Sequence, residues 1–224
     1  MEEKVPRSLS FVEAEPYYHI DRKVNSRFES GTSYFIGAKK NSFLARFDVA
    51  SMSRVITGKL QLEVRDLLTE VLEIAKTGAP SKMVNDVFGG DVERATSLLG
   101  DAFTEYLNWI RETVFEEVRR EYFPQLPSRH RCLWLIPLSK KAVDHWWERL
   151  DKKGRLLEVR ATGKIFRANE GYLKATSAPL DRIRGDAFRY WAGGSGKQPH
   201  ADELLFEGFL NVTNEVDPAT LAPL

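Results

Sequence analysis

Glu203 is the residue whose surroundings point most directly to chemistry. It follows the glycine-rich stretch Ala192-Gly193-Gly194-Ser195-Gly196 and opens the apolar run Leu204-Leu205-Phe206. A carboxylate at the mouth of a strand lies at a sheet edge or cleft, where it can polarise a hydroxyl or stabilise developing positive charge. The bland alternative is an exposed acid that caps a strand. His19 lies in the aromatic segment Tyr17-Tyr18-His19-Ile20. One ring nitrogen can hydrogen-bond a ligand hydroxyl there, or the ring can be a core residue satisfied by backbone, and spacing weighs the two equally. Ser139 to Ala168 carries nine Lys and Arg against four Asp and Glu, and Arg119, Arg120, Arg129 and Arg131 precede it. Arginine beside backbone amides suits phosphate, so the Ser128-Arg129 turn is a candidate anion site, although most charge runs are solvated surface.

Other chemistries lack their anchors. Gly193-Gly194-Ser195-Gly196-Lys197 invites a phosphate-loop reading. Trp191 stands where that motif needs its first glycine, and Gln198 where it needs Ser or Thr, so a mobile loop beside a site is the better reading. The four histidines do not cluster, and none makes an HExxH or a Cys/His spacing that would hold a metal. No GxSxG marks a hydrolase nucleophile. Cys132 falls inside an apolar strand, where inert packing is the default.

These residues need elements to position them. Tyr17–Asp21 and Ser33–Gly37 are rich in aromatic and β-branched residues and read as strands. Leu60–Lys76 repeats apolar residues at helical spacing and ends at Gly78 and Pro80. A short helix over Asp91–Leu99 is expected with Asp91 as its N-cap, then a longer one from about Ala102 to Tyr122, closed by Pro124. Cys132–Ile136 reads as a strand covered on both faces, and Ser139 caps a helix through Leu150. Leu156–Ala161 and Lys164–Arg167 read as a hairpin around Thr162-Gly163, and Glu203–Val212 as the last strand. Strands at both ends with helices between predict an α+β class.

The 224 residues carry 33 Lys and Arg against 32 Asp and Glu, with 42% hydrophobic residues, which is globular composition. A near-neutral chain argues against non-specific nucleic-acid binding as the main task. One cysteine favours a reducing compartment, and the first residues lack the apolar core of a signal peptide, so a cytoplasmic location without membrane association is expected.

Taken in order, Tyr18-His19-Ile20, Ser33-Tyr34-Phe35-Ile36-Gly37 and Ala201-Asp202-Glu203-Leu204-Leu205 resemble the ADP-ribosyltransferase superfamily. Its members carry a strand with Tyr-His, an aromatic-bearing second strand and a glutamate after a glycine-rich loop. The stretch from Arg119 through Phe123-Pro124-Gln125-Leu126-Pro127-Ser128-Arg129 to Trp134 also looks like a bacterial domain family with no assigned function. The resemblance implies one domain over residues 1–224, with a split β-sheet core and a helical insertion at about 59–123. It implies an NAD-dependent transferase, a bacterial toxin or phage-conflict factor, acting on a nucleic-acid or protein acceptor and having a neutralising partner protein. NAD would be substrate, Glu203 would stabilise the oxocarbenium-like ribose, His19 would hold the adenosine-side ribose, and Tyr18 is a further cofactor-binding candidate. Tyr34 would stack on nicotinamide, in competition with Phe35 and Tyr18, and Ser128 with Arg129 would meet the pyrophosphate. Ala201 departs from the arginine-modifying branch, which has Gln or Glu there. The alternative is a catalytically inactive relative that binds a nucleotide, nucleic acid or partner protein.

Overall fold

The computed structural model describes residues 9–22, 28–45, 54–57, 60–174, 178–193 and 202–221. In chain order the elements are β1 (Leu9–Asp21), β2 (Ser33–Ile36), α1 (Ser42–Ala45), β3 (Arg54–Thr57), β4 (Leu60–Glu63), α2 (Val64–Thr77), α3 (Lys82–Phe88) and α4 (Val92–Tyr122). There follow β5 (Leu133–Leu135), α5 (Lys140–Arg149), β6 (Arg155–Asn169), α6 (Leu180–Trp191) and β7 (Asp202–Val216). The chain is mixed α+β. It divides into two compact units: Met1–Asn41 with Glu112–Leu224, and Ser42–Arg111.

The inserted unit holds the β3–β4 antiparallel pair, α2, α3 and the first part of α4 around Leu67, Val84, Phe88, Ala95 and Leu99. Gly78 ends α2 in the left-handed conformation, and its N–H reaches the Ile74 carbonyl. The Asp91 carboxylate accepts from the Arg94 N–H at 2.9 Å, a side-chain N-cap for α4. Two separate helices were expected here, yet α4 runs unbroken through Gly100-Asp101. A single interior glycine costs only about 1 kcal/mol, too little to stop a helix whose flanks propagate.

The larger unit is built on an antiparallel sheet ordered β1-β6-β7-β2, with β5 paired to the first part of β7. The expected hairpin at Thr162-Gly163 is instead the middle of one 15-residue strand, β6. Gly163 pairs with Val12 on one side and Gly208 on the other. Their φ angles are +152° and +147°. A Cβ on Gly163 would overlap the Glu207 carbonyl oxygen, and one on Gly208 the Thr162 carbonyl oxygen. At the same level β1 carries a register shift between Val12 and Glu15, with Ala14 at φ 53°. Together these form a crease across the three longest strands, where bulge and glycine let the sheet bend.

Bending brings β1 round to β5. Tyr18 and Ile136 exchange backbone hydrogen bonds at 2.8 and 2.7 Å, so β5 lies between β7 and β1. The inner face of the curled sheet buries Val12, Phe28, Leu135, Val159, Phe206 and Leu210 among others. The outer face is covered at one end by α6, where Trp191 stacks on Phe166 with centroids 5.5 Å apart and donates its indole N–H to the Phe115 carbonyl of α4. At the other end Ala142 and Val143 of α5 pack with Ile20, Ile136 and Leu156. Helix α6 was not anticipated. Its buried Ile183, Ala187, Tyr190 and Trp191 keep helical spacing, but Gly185 and the charges between them weaken the pattern. No helix among the described residues is long and apolar enough to cross a membrane.

Candidate functional site

Arg129 is 3% exposed and its guanidinium is consumed inside the protein. Nε and Nη2 donate to the two oxygens of Glu112 at 2.8 and 3.2 Å. Nη1 donates to the Tyr190 hydroxyl at 2.7 Å and to Oε2 of Glu203. The Tyr190 hydroxyl in turn donates to the same Glu203 oxygen at 2.7 Å. Burial pulls the arginine's pKa down, but Glu112 and Glu203 outweigh it and hold the group firmly charged. The Tyr190 hydroxyl is pushed well up by burial, with Arg129 offsetting part of this and Glu203 adding to it. A charge this deep is tolerable only when paired and hydrogen-bonded, which this geometry provides.

A second buried pair adjoins the first. Glu116 takes Nε and Nη2 of Arg119 at 3.0 and 2.8 Å and the Ser128 hydroxyl at 2.9 Å. Burial raises the Glu116 pKa, but the Arg119 hydrogen bonds and charge and the Ser128 bond together bring it below the ordinary carboxylate value. The Ser128 N–H donates to Glu207 at 2.9 Å. Ser128 and Arg129, the residues expected to meet a pyrophosphate, therefore join α4, α6 and β7, with the Arg129 guanidinium and the Ser128 hydroxyl and N–H donating to carboxylates and a phenol. Glu112, Glu116 and Tyr190 escaped the sequence reading. The available signal was charge on a helix stripe, since Glu112, Phe115, Glu116 and Arg119 fall at spacings that share one face.

His19 lies elsewhere. Its Nδ1 is 2.9 Å from the Trp134 carbonyl, so Nδ1 carries the hydrogen and Nε2 is left an acceptor. Burial lowers its pKa more than the Trp134 bond and Asp21 raise it, so the ring is neutral at pH 7. It meets Phe28 edge-on at 5.4 Å, and Phe28 meets Tyr34 at 5.0 Å. The Tyr34 hydroxyl accepts from the Glu29 N–H at 3.0 Å. Nearby, the Tyr17 hydroxyl donates to Glu15, and burial followed by that bond pushes its pKa up to about 12. Tyr18 points the other way, into the cluster under α5. Phe28 had no periodic neighbour to mark it in the sequence.

The two groups are close in backbone and opposed in side chain. From Tyr18 across Ile136 to the level of Leu204 is two interstrand spacings, roughly 10 Å. Leu204 and Phe206 face the inner core, so Glu203, one residue off, faces α6 and Tyr190. His19, paired with inner Leu157 and touching Phe28, faces inward. Glu203 and His19 thus stand on opposite faces of the sheet.

Cys132 is 1% exposed, and burial pushes its thiol well up, as inert packing requires. Among the described residues no group of three or more His, Cys, Asp or Glu could hold a metal ion. Residues 194–201, which hold most of the glycine-rich loop and His200, lie outside the described residues. Comparison with the curated proteins finds no match. A family model described as a protein of unknown function (DUF2441) matches residues 17–218.

Proposed function

The chain belongs to the DUF2441 family, and from that premise we propose that it is a nucleotide-binding module with an ADP-ribosyltransferase-like split sheet that does not carry out transfer. The carrying observation is the Glu203 carboxylate, held by Arg129 and Tyr190 and turned away from His19. A carboxylate lowers the barrier to an oxocarbenium-like state through its uncompensated charge, and a bound guanidinium cancels most of that field. Binding is supported on the inner face. His19 is neutral, its tautomer is set by Trp134, and Nε2 has no protein partner among the described residues. Such an acceptor suits a ribose hydroxyl of NAD, with the Phe28 and Tyr34 rings beside it.

The test is calorimetric NAD binding together with an assay for nicotinamide release. NAD binds the parent, His19→Ala weakens that binding by about tenfold, as loss of one hydrogen bond to a buried polar group implies, and no protein releases nicotinamide. Absence of NAD binding overturns the reading. A second reading, an NAD-consuming transferase with Glu203 as catalytic residue, is favoured by the placing of β1 and β7 on either side of β5. Nicotinamide release by the parent that disappears in Glu203→Gln establishes it in place of the first.

A further inference from the structure

The two helical covers leave a strip of the outer sheet face bare between them. Cross-strand pairing puts Phe11 beside Lys164 on β6, and Thr162 beside Phe209, which is itself beside Phe35. The three phenylalanines are 72%, 62% and 56% exposed for Phe11, Phe209 and Phe35. Phe35 and Phe209 meet edge-to-face at 5.1 Å. Arg160 and Lys164 share this face; they donate to the carbonyls of Ala14 and Gln125, and among the described residues neither pairs with a carboxylate. Glu207 stands directly opposite Lys164 across the β6–β7 pair and Glu158 borders the strip, but Glu207 accepts from the Ser128 N–H and Glu158 from Asn214.

We propose that this strip binds single-stranded nucleic acid. Aromatic rings standing on the open face of an antiparallel sheet offer π-faces to unstacked bases, and unpaired cations beside them attract the phosphates. The strip crosses four strands, three interstrand spacings or roughly 15 Å, which accommodates a few nucleotides. A duplex has its bases already stacked on each other and cannot use the rings. A wholly apolar protein surface would bury Arg160, whose cross-strand neighbours are Pro16 and Asn211, without a counter-charge. The strip is on the face opposite His19, so the inference stands apart from the nucleotide site.

The experiment is fluorescence anisotropy of labelled oligo-dT and oligo-U of roughly 12 nucleotides, a length within single-strand site sizes, with the full chain. The parent binds both, and duplex of equal length competes poorly. Phe35→Ala with Phe209→Ala lowers affinity roughly tenfold or more, as stacking by alanine substitution implies, while Phe→Tyr at both positions retains it. The logarithm of the binding constant falls with the logarithm of salt at a slope of about −1.4 for two phosphate contacts, flattening in Arg160→Gln with Lys164→Gln. His19→Ala leaves all of this unchanged, so failure here and failure of the nucleotide reading are separable. No binding by the parent, affinity indifferent to the phenylalanines, or equal affinity for duplex overturns the proposal. So does a dimer in sedimentation that the same phenylalanine variants dissociate, since the strip is then a self-interface.

Discussion

Arg129 carries two carboxylates and a phenol at once, and its partners are 17, 61 and 74 residues away in sequence. Glu203→Gln removes the charge from one of them. Breaking a buried pair from one side costs about 3 kcal/mol, which for a chain of this size lowers Tm by about 6–12 °C. Thermal melts of the two proteins check this; an unchanged Tm means that Glu112 alone satisfies Arg129. A pH dependence follows from the histidines. Burial lowers the pKa of His19 and likewise of His130 in the folded state. The unfolded chain therefore binds these protons first, near the ordinary value of about 6.5. Stability from this source is complete above that pH and is lost as pH falls below it toward the folded values. Glu116, with its lowered pKa, adds a second loss below the ordinary carboxylate range of about 4.3. Urea midpoints between about pH 7 and pH 5 should fall for the parent and fall less for His19→Gln. Equal slopes remove His19 from the effect.

At the scale of elements, the crease decides the architecture. Gly163 and Gly208 face each other where neither strand has room for a Cβ. Gly163→Ala or Gly208→Ala drives a methyl into the carbonyl of the neighbouring strand and strains a positive φ, for a cost of about 3 kcal/mol each. The double variant should cost less than the two singles added, because both relieve or enforce the same bend. Chemical denaturation of the set measures that coupling, and strict additivity would mean that the strands yield independently. The same glycine misleads when read along the chain. Thr162-Gly163 between apolar runs is a hairpin signal, and it fails because β1 and β7 pair with β6 on both sides of that point. The Gly100 position shows the reverse case, where a local break is overridden by the helix around it.

At the scale of the molecule, the unit Ser42–Arg111 is an insertion, and the two residues of the larger unit that flank it, Asn41 and Glu112, both reach His130. The Asn41 N–H donates to the His130 carbonyl at 2.8 Å, and His130 Nε2 is 3.2 Å from the Glu112 carbonyl. Replacing 42–111 with a Gly/Ser linker of about six residues, roughly 20 Å when extended, should leave residues 1–41 and 112–224 folded. The outcome is a retained near-ultraviolet circular dichroism signal and a single cooperative melt. A compact state lacking that signal would mean the sheet needs the insertion to pack.

What the sequence by itself determined is what a short window of side chains determines. Alternating aromatic and β-branched residues made Tyr17–Asp21 and Ser33–Ile36 strands, the Asp91 and Gly78 caps bounded helices, and the apolar run at Cys132 buried an inert thiol. Those choices depend on backbone propensity and local periodicity, which act within a few residues. Which face of a strand turns inward depends on partners far along the chain. The period of two places Glu203 opposite Leu204, but only the curled sheet, with α6 on one side and the His19 core on the other, assigns those faces. A buried guanidinium then selects Glu203 because an unpaired charge there would be costlier than any lost contact. That selection, made in three dimensions, turned the most reactive-looking carboxylate of the sequence into a partner for Arg129.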